Sequence, residues 1–162
     1  MLVPAALPTN DARRPGFDTT FFAGNDDGSY PSAVLLPFAL KFFGDTYTHV
    51  YVNNNGNITF DGALSTYTPF IISTTNRVII APFFADVDTR NSVSGTTTFG
   101  KGTFGGRSAF GVNWVNVGYF NSHDDRLNSF QLVLIERQQL VWLSTVPIAD
   151  FATSPSIPWT CR

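Results

Sequence analysis

The sequence predicts an all-β fold, an antiparallel β-sandwich of about eight strands with little or no helix. Three observations carry the prediction. Aromatic residues make up 15% of the 162 residues, Phe alone contributes 16, and charged residues make up only 14%, against about a quarter in ordinary soluble chains. That balance suits pleated surfaces filled by aromatic and β-branched side chains. Apolar and polar residues alternate over short windows divided by Gly-, Asn- and Asp-rich turns, and no long window keeps a helical period. With 43% apolar residues, a chain of this length can pack one core without covalent staples.

The elements follow in order. Residues 1–16 hold three prolines and an Arg pair and read as an irregular leader. Phe17 to Phe22 add a short strand, and Gly24 to Pro31 form a turn cluster. Val34 to Phe43 is an apolar strand that Pro37 confines to an edge or a bulge. In Tyr47 to Val52, Val50 and Val52 face one way while Tyr47, His49 and Tyr51 face the other. Asn53 to Gly56 reverses the chain, Asn-Gly being the strongest short hairpin signal, and Ile58 and Phe60 return. Thr66 to Asn76 is a loop. Val78 to Phe84 is a strand covered on both faces. Thr96 to Phe104 and Arg107 to Val117 pair around Gly105-Gly106, with Trp114 facing inward. Gly118 to Arg126 is a polar loop, and Leu127 to Glu136 is a further alternating strand.

A formal net charge of −2 gives no basic face for nucleic acid and no polybasic membrane contact. No apolar run approaches the roughly 20 residues of a spanning helix. The opening MLVPAALP lacks the charged and long apolar regions of a signal peptide, so an export signal is expected elsewhere. The lone cysteine, Cys161, allows no internal disulfide. Because small secreted animal domains lean on disulfides, the chain reads as a bacterial surface or secreted protein, or as a fragment; the weaker reading pairs Cys161 with a partner beyond this chain.

The blocks LPFALKFFGDTYTHVYVNNNGNITF, YTPF, VIIAPFFADVDTR, FGVNWVNVGYF and DRLNSFQLVLIER stand in an order and spacing that resembles the NIDO domain, the module of nidogen and alpha-tectorin. The resemblance covers about residues 25–137, and its wording is most like bacterial secreted members. It implies an extracellular or cell-surface module, non-catalytic, serving cell–matrix adhesion or matrix association beside companion domains. The implied partner is a matrix or cell-surface protein or a glycan, with no cofactor required. After Arg137 the family's acidic, aromatic continuation gives way to a Pro- and Ser-rich text. The expected organisation is therefore a leader over 1–16, the sandwich over 17–137 and an atypical tail over 138–162, truncated or frame-shifted, which would leave a sheet edge unpaired.

The candidate contact regions are the turn Asp86, Asp88 and Arg90 and the loop carrying Asn121, Asp124 and Asp125. Asp86 and Asp88, two apart on a strand, share a face and offer the hard oxygens that calcium prefers, with Asp26 and Asp27 or Asp124 and Asp125 as additions. The plainer reading is turn chemistry, with Asp88 paired to Arg90 and Asp86 bonded to backbone. A calcium-assisted carbohydrate-binding module is the alternative function, and it predicts an exposed aromatic beside the acidic turn. Ser122-His123-Asp124 are sequence neighbours and cannot form a triad on their own, and no enzyme activity is expected. Asn57-Ile58-Thr59 fits a glycosylation sequon should the chain be eukaryotic. Tyr47, Tyr51 and Asn53 to Asn55 can be read as a contact surface, though turn chemistry alone explains the asparagines.

Overall fold

A computed structural model describes residues 13–136 and the strand 142–145. Its elements are β1 (Thr20–Phe21), β2 (Val34–Phe42), β3 (Asp45–Asn53), β4 (Asn57–Thr59), a 3-10 turn (Ile72–Thr74), β5 (Ile79–Ile80), β6 (Thr97–Phe104), β7 (Arg107–Tyr119), β8 (His123–Ile135) and β9 (Trp142–Thr145). They form a five-stranded sheet in the order β1-β6-β7-β8-β9 and a four-stranded sheet in the order β2-β3-β4-β5, with every pairing antiparallel. The all-β sandwich is thus the observed fold.

One core lies between the sheets. Leu36, Leu40, Val50, Val52 and Ile58 from the smaller sheet meet Phe99, Phe110, Val112, Trp114, Phe130, Leu132 and Leu134 from the larger. The inward residues of β7 and β8 recur every second position, as the strand period demands. Trp114 is fully buried, stacks on Phe130 with centroids 5.0 Å apart, and donates its indole N–H to the Asn54 carbonyl. Burying so large a ring is favourable because its one polar atom finds a partner.

Several boundaries differ from those read in the sequence. β2 occupies a sheet edge and its register shifts between Leu35 and Leu40, so Pro37 stands at both an edge and an irregularity. The apolar run from Val78 to Phe84 pairs as a strand over two residues only. Pro82 cannot donate to a ladder, and the run turns away so that Phe83 and Ala85 donate to the Gly56 and Asn55 carbonyls. The polar stretch from Gly118 to Arg126 is no loop. β7 and β8 continue through it to a tight tip in which Tyr119 faces His123. Tyr47, half-buried, packs on Phe60 of the core with centroids 4.6 Å apart, although it stands opposite to Val50 and Val52 in the alternation. Thr20–Phe21 pairs with β6, whereas Phe17 lies buried on the outer face of the five-stranded sheet. In the tail, Trp142–Thr145 pairs with Val133–Phe130 at the sheet's edge; the rest of 137–162, like residues 1–12, lies outside the described residues.

Candidate functional site

Three segments meet at one end of the sandwich: Gly24–Ser29, Phe83–Gly95 and the β7–β8 tip. The asparagine-rich turn at 53–57 joins the first two. Asn53, Asn54, Asn55 and Asn57 are all fully buried or nearly so. Only Gly56 in that turn has a left-handed backbone (φ 72°), and a Cβ there would lie 1.8 Å from the Phe83 carbonyl oxygen. The asparagines are therefore needed for their carboxamides, not for their tolerance of positive φ.

Asn54 is the centre of this network. Its Nδ2 faces the carbonyls of Asn25, Asp26 and Val87. Its Oδ1 accepts from the Thr89 and Thr97 hydroxyls at 3.3 and 3.4 Å. Asn55 accepts from Val87 N–H at 2.8 Å and donates to Asp27 at 2.9 Å and to the Thr66 carbonyl. Asn53 accepts from the Ser29 hydroxyl and from Leu64 N–H, and donates to Asn57 and Thr59. Carboxamides offer both donors and acceptors, so one turn supplies the hydrogen bonds that two irregular segments cannot make in a sheet.

The acidic turn is organised around Asp88, whose side chain is fully buried. Its carboxylate accepts from Arg90 Nε at 2.9 Å, Arg90 Nη2, Arg90 N–H, Ser122 N–H at 2.8 Å and Ser122 Oγ. The Arg90 hydrogen bonds hold its pKa down at about 2, against the desolvation that alone would raise it. A two-pronged Arg–carboxylate pair is the strong form of this interaction. The ion pair fixes more than its own turn. Asn121 and Ser122 stand consecutively at φ 62° and 57°, a conformation that costs non-glycine residues on the order of 1 kcal/mol or more each. The bonds from Ser122 to Asp88 hold that strained tip in place. Next to it Tyr119 stacks on His123 at 5.0 Å and donates to Asp125 at 2.7 Å, which lowers the Asp125 pKa.

Arg90 also reaches Asp26 at 2.8 Å. Asp26, Asp27 and Asp86 are each partly exposed and bring carboxylate oxygens within 4.8 Å of one another. Desolvation first, and then the neighbouring carboxylates, raise the pKa of both Asp26 and Asp86. Beside this trio Phe120 donates its N–H to the Asp86 carbonyl and is itself 61% exposed.

A model of NIDO-related domains matches residues 15–154 of the chain. The chain belongs to the NIDO-related family. Among curated proteins it is 29% identical to nidogen from Drosophila melanogaster over 75% of this chain and 11% of that protein. It is 32% identical to human alpha-tectorin over 68% of the chain and 6% of that protein, and 32% identical to the mouse protein over 78% and 6%. The NIDO-related chain thus spans about a tenth or less of these relatives. No solved structure matches it. The family match reaches past Arg137, where the motif resemblance breaks off, and includes β9.

Within the NIDO-related module, the Asp86–Arg90 turn and the 121–126 segment are one surface, joined by Asp88 and Ser122. Asp86 and Asp88 do not act alike: Asp88 faces inward to Arg90, while Asp86 joins Asp26 and Asp27. The carboxylates that could hold a hard cation are therefore the trio, and one of them, Asp26, shares Arg90 with Asp88. Asn121 and Asp125 are exposed and Asp124 is partly so. Two sequence readings need correction. Asn57 has no exposed surface and its Nδ2 donates to the Asn55 carbonyl at 3.0 Å, so the folded module has no room for a glycan there. Asn53, Asn54 and Asn55 are buried and present no contact surface. Ser122 Oγ bonds Asp88 and His123 Nδ1 lies against the Phe120 carbonyl, so that pair has no nucleophile–base contact.

Proposed function

We propose that this NIDO-related module is a non-catalytic extracellular domain that associates with matrix or cell-surface partners through the loop end built around Asp88. The observation that carries the reading is the exposed Phe120 ring, held on a strained tip by a buried carboxylate and bordered by Asp86. Strain maintained by surrounding structure is characteristic of functional surfaces, and binding residues favour loops fixed on a rigid frame. Half of the chain's 12 acidic residues (Asp26, Asp27, Asp86, Asp88, Asp124 and Asp125) lie in or beside these loops. The kinship with nidogen and alpha-tectorin supports the extracellular setting, and the small share of those proteins that it spans supports a role in series with other domains. Weak single contacts gain strength that way.

Solid-phase binding to an immobilised basement-membrane extract tests the proposal. Saturable binding that Phe120→Ser abolishes, and that Lys101→Ala on the distant β6 leaves intact, supports it. Equal binding by both variants, or none by the wild type, refutes it. The same exposed ring beside an acidic turn also favours a second reading, a glycan-binding module that uses calcium at the Asp26, Asp27 and Asp86 trio. Glycan-array signals that require millimolar calcium and vanish in Asp86→Ala would select it over protein association.

A further inference from the structure

Residues 14–17 run across the outer face of β6, β7 and β8 as a strap, and the face is built to receive them. Gln131, almost fully buried, reads the backbone of Arg14 at both ends: Arg14 N–H donates to Gln131 Oε1 at 2.9 Å and Gln131 Nε2 donates to the Arg14 carbonyl at 2.8 Å. Asn113, also buried, donates to the Phe17 carbonyl at 2.7 Å and accepts from Gln131 at 2.7 Å. The Phe17 ring is 1% exposed and packs on Ala109, Val133 and Ile135. Its seat exists because β7 carries Gly111 there: a Cβ would fall 2.3 Å from the ring's Cγ. Gly100 and Gly102 of β6 likewise leave room for the strap, since a Cβ on Gly100 would come within 3.2 Å of the Phe17 carbonyl carbon and one on Gly102 within 3.0 Å of the Phe17 ring. The Arg14 guanidinium lies 5.5 Å from the centre of the Phe104 ring.

Two buried carboxamides that read main chain, a glycine-lined seat for one aromatic ring and a ring under a guanidinium together make a peptide groove. We infer that this groove also accepts the Arg14–Phe17 segment of a second copy of the chain, so that modules pair by exchanging straps. The occupant is the chain's own segment because that segment is seen to fit every feature of the groove. The exchange needs only a change of path at Asp18 and Thr19, both exposed, between the strap and β1. The strap in cis competes at an effective concentration of roughly millimolar, so the isolated wild-type chain stays closed and pairs only when crowded.

Complementary variants of the full chain test this. Phe17→Ala keeps the groove and loses the anchor; Gly111→Val keeps the anchor and blocks the groove. Mixed together they are expected to form a one-to-one heterodimer by native mass spectrometry, with each variant alone monomeric. A mixture that stays monomeric up to about 1 mM, the cis effective concentration, overturns the inference. As a second measurement, the peptide Arg-Arg-Pro-Gly-Phe-Asp-Thr is titrated onto Phe17→Ala, or onto Phe17→Leu where the alanine variant does not fold. A melting temperature that rises with peptide concentration, and does not rise with the same peptide carrying Ala for Phe, supports the groove. No peptide-dependent shift overturns it, whatever Gly111→Val does.

Discussion

Asn54→Asp changes one NH2 to an oxygen and almost nothing in shape, yet it inverts the chemistry at the centre of the loop end. Nδ2 of Asn54 faces three carbonyl oxygens in a fully buried position. In the variant a carboxylate oxygen faces them instead, the donated bonds are gone, and a charge is buried without a counter-ion. The lost bonds are worth about 1 kcal/mol each and each stranded buried group costs roughly 1–3 kcal/mol. Three carbonyls share the two hydrogens of one amino group, so these terms do not add in full; the whole change should cost about 3–5 kcal/mol, the range seen when one member of a buried charged pair is removed. Urea unfolding followed by tryptophan fluorescence reads this, since one of the three indoles, that of Trp114, donates to Asn54 itself. With a slope of about 1–3 kcal/mol per molar, the midpoint should fall by about 2 M. The sign of the pH dependence adds a second check. Burial raises the folded pKa of the introduced carboxyl group above its unfolded value, so the native state binds more protons between those two values. The deficit against wild type is therefore full above the folded pKa and shrinks as the pH falls through it. A midpoint within about 0.3 M of wild type, or a deficit unchanged by acid, would refute the network.

Asp88 and Asp86 should behave oppositely. The folded pKa of Asp88 is lowered to about 2, so its contribution is whole above the ordinary carboxylate range and is lost as the pH falls towards 2; Asp88→Asn should cost about 2 kcal/mol at pH 7 by thermal unfolding. Burial first, and then the like charges around it, raise the Asp86 pKa, so Asp86→Asn should raise the melting temperature at pH 7, and a fall would contradict that account. Gly56→Ala combines a left-handed backbone with a clash against the Phe83 carbonyl and should cost more than about 3 kcal/mol, seen as loss of soluble folded protein. Phe17→Ala removes a buried ring and should cost about 3–5 kcal/mol in urea. Phe120→Ser, on an exposed ring, should change stability by less than about 0.5 kcal/mol.

The sandwich is legible in the sequence because its strands obey a local rule: alternation in β3, β7 and β8 and glycines at the β6–β7 turn. Where long-range bonding overrides the local rule, sequence and structure part. Asn53 to Asn57 contain more asparagine than one turn needs, and that excess is the available signal of a buried network. Its partners, at Ser29, Leu64, Val87 and Thr97, are too far along the chain for spacing to reveal. Asp88 and Arg90 are readable as a local pair; that Ser122 completes it depends on β7 and β8 running on to a tight tip. Phe17 reads as the start of a strand because an apolar residue before β1 gives no hint of which face it covers. The glycines at 100, 102 and 111 are the trace it leaves, and nothing local ties them to a residue so far back in the chain.

The loop end should be held as firmly as the sheets that carry it. Amide hydrogen exchange at Asn54, Val87, Asp88, Thr89, Arg90 and Ser122 measures that: the N–H groups of Asn54, Asp88 and Thr89 donate to the Gly28, Gly118 and Asn25 carbonyls, and those of Val87, Arg90 and Ser122 to the Asn55 and Asp88 side chains. Protection comparable to the amides of β7 and β8 is the predicted result, falling selectively in Asn54→Asp. Exchange at these positions as fast as in an unstructured loop would contradict it.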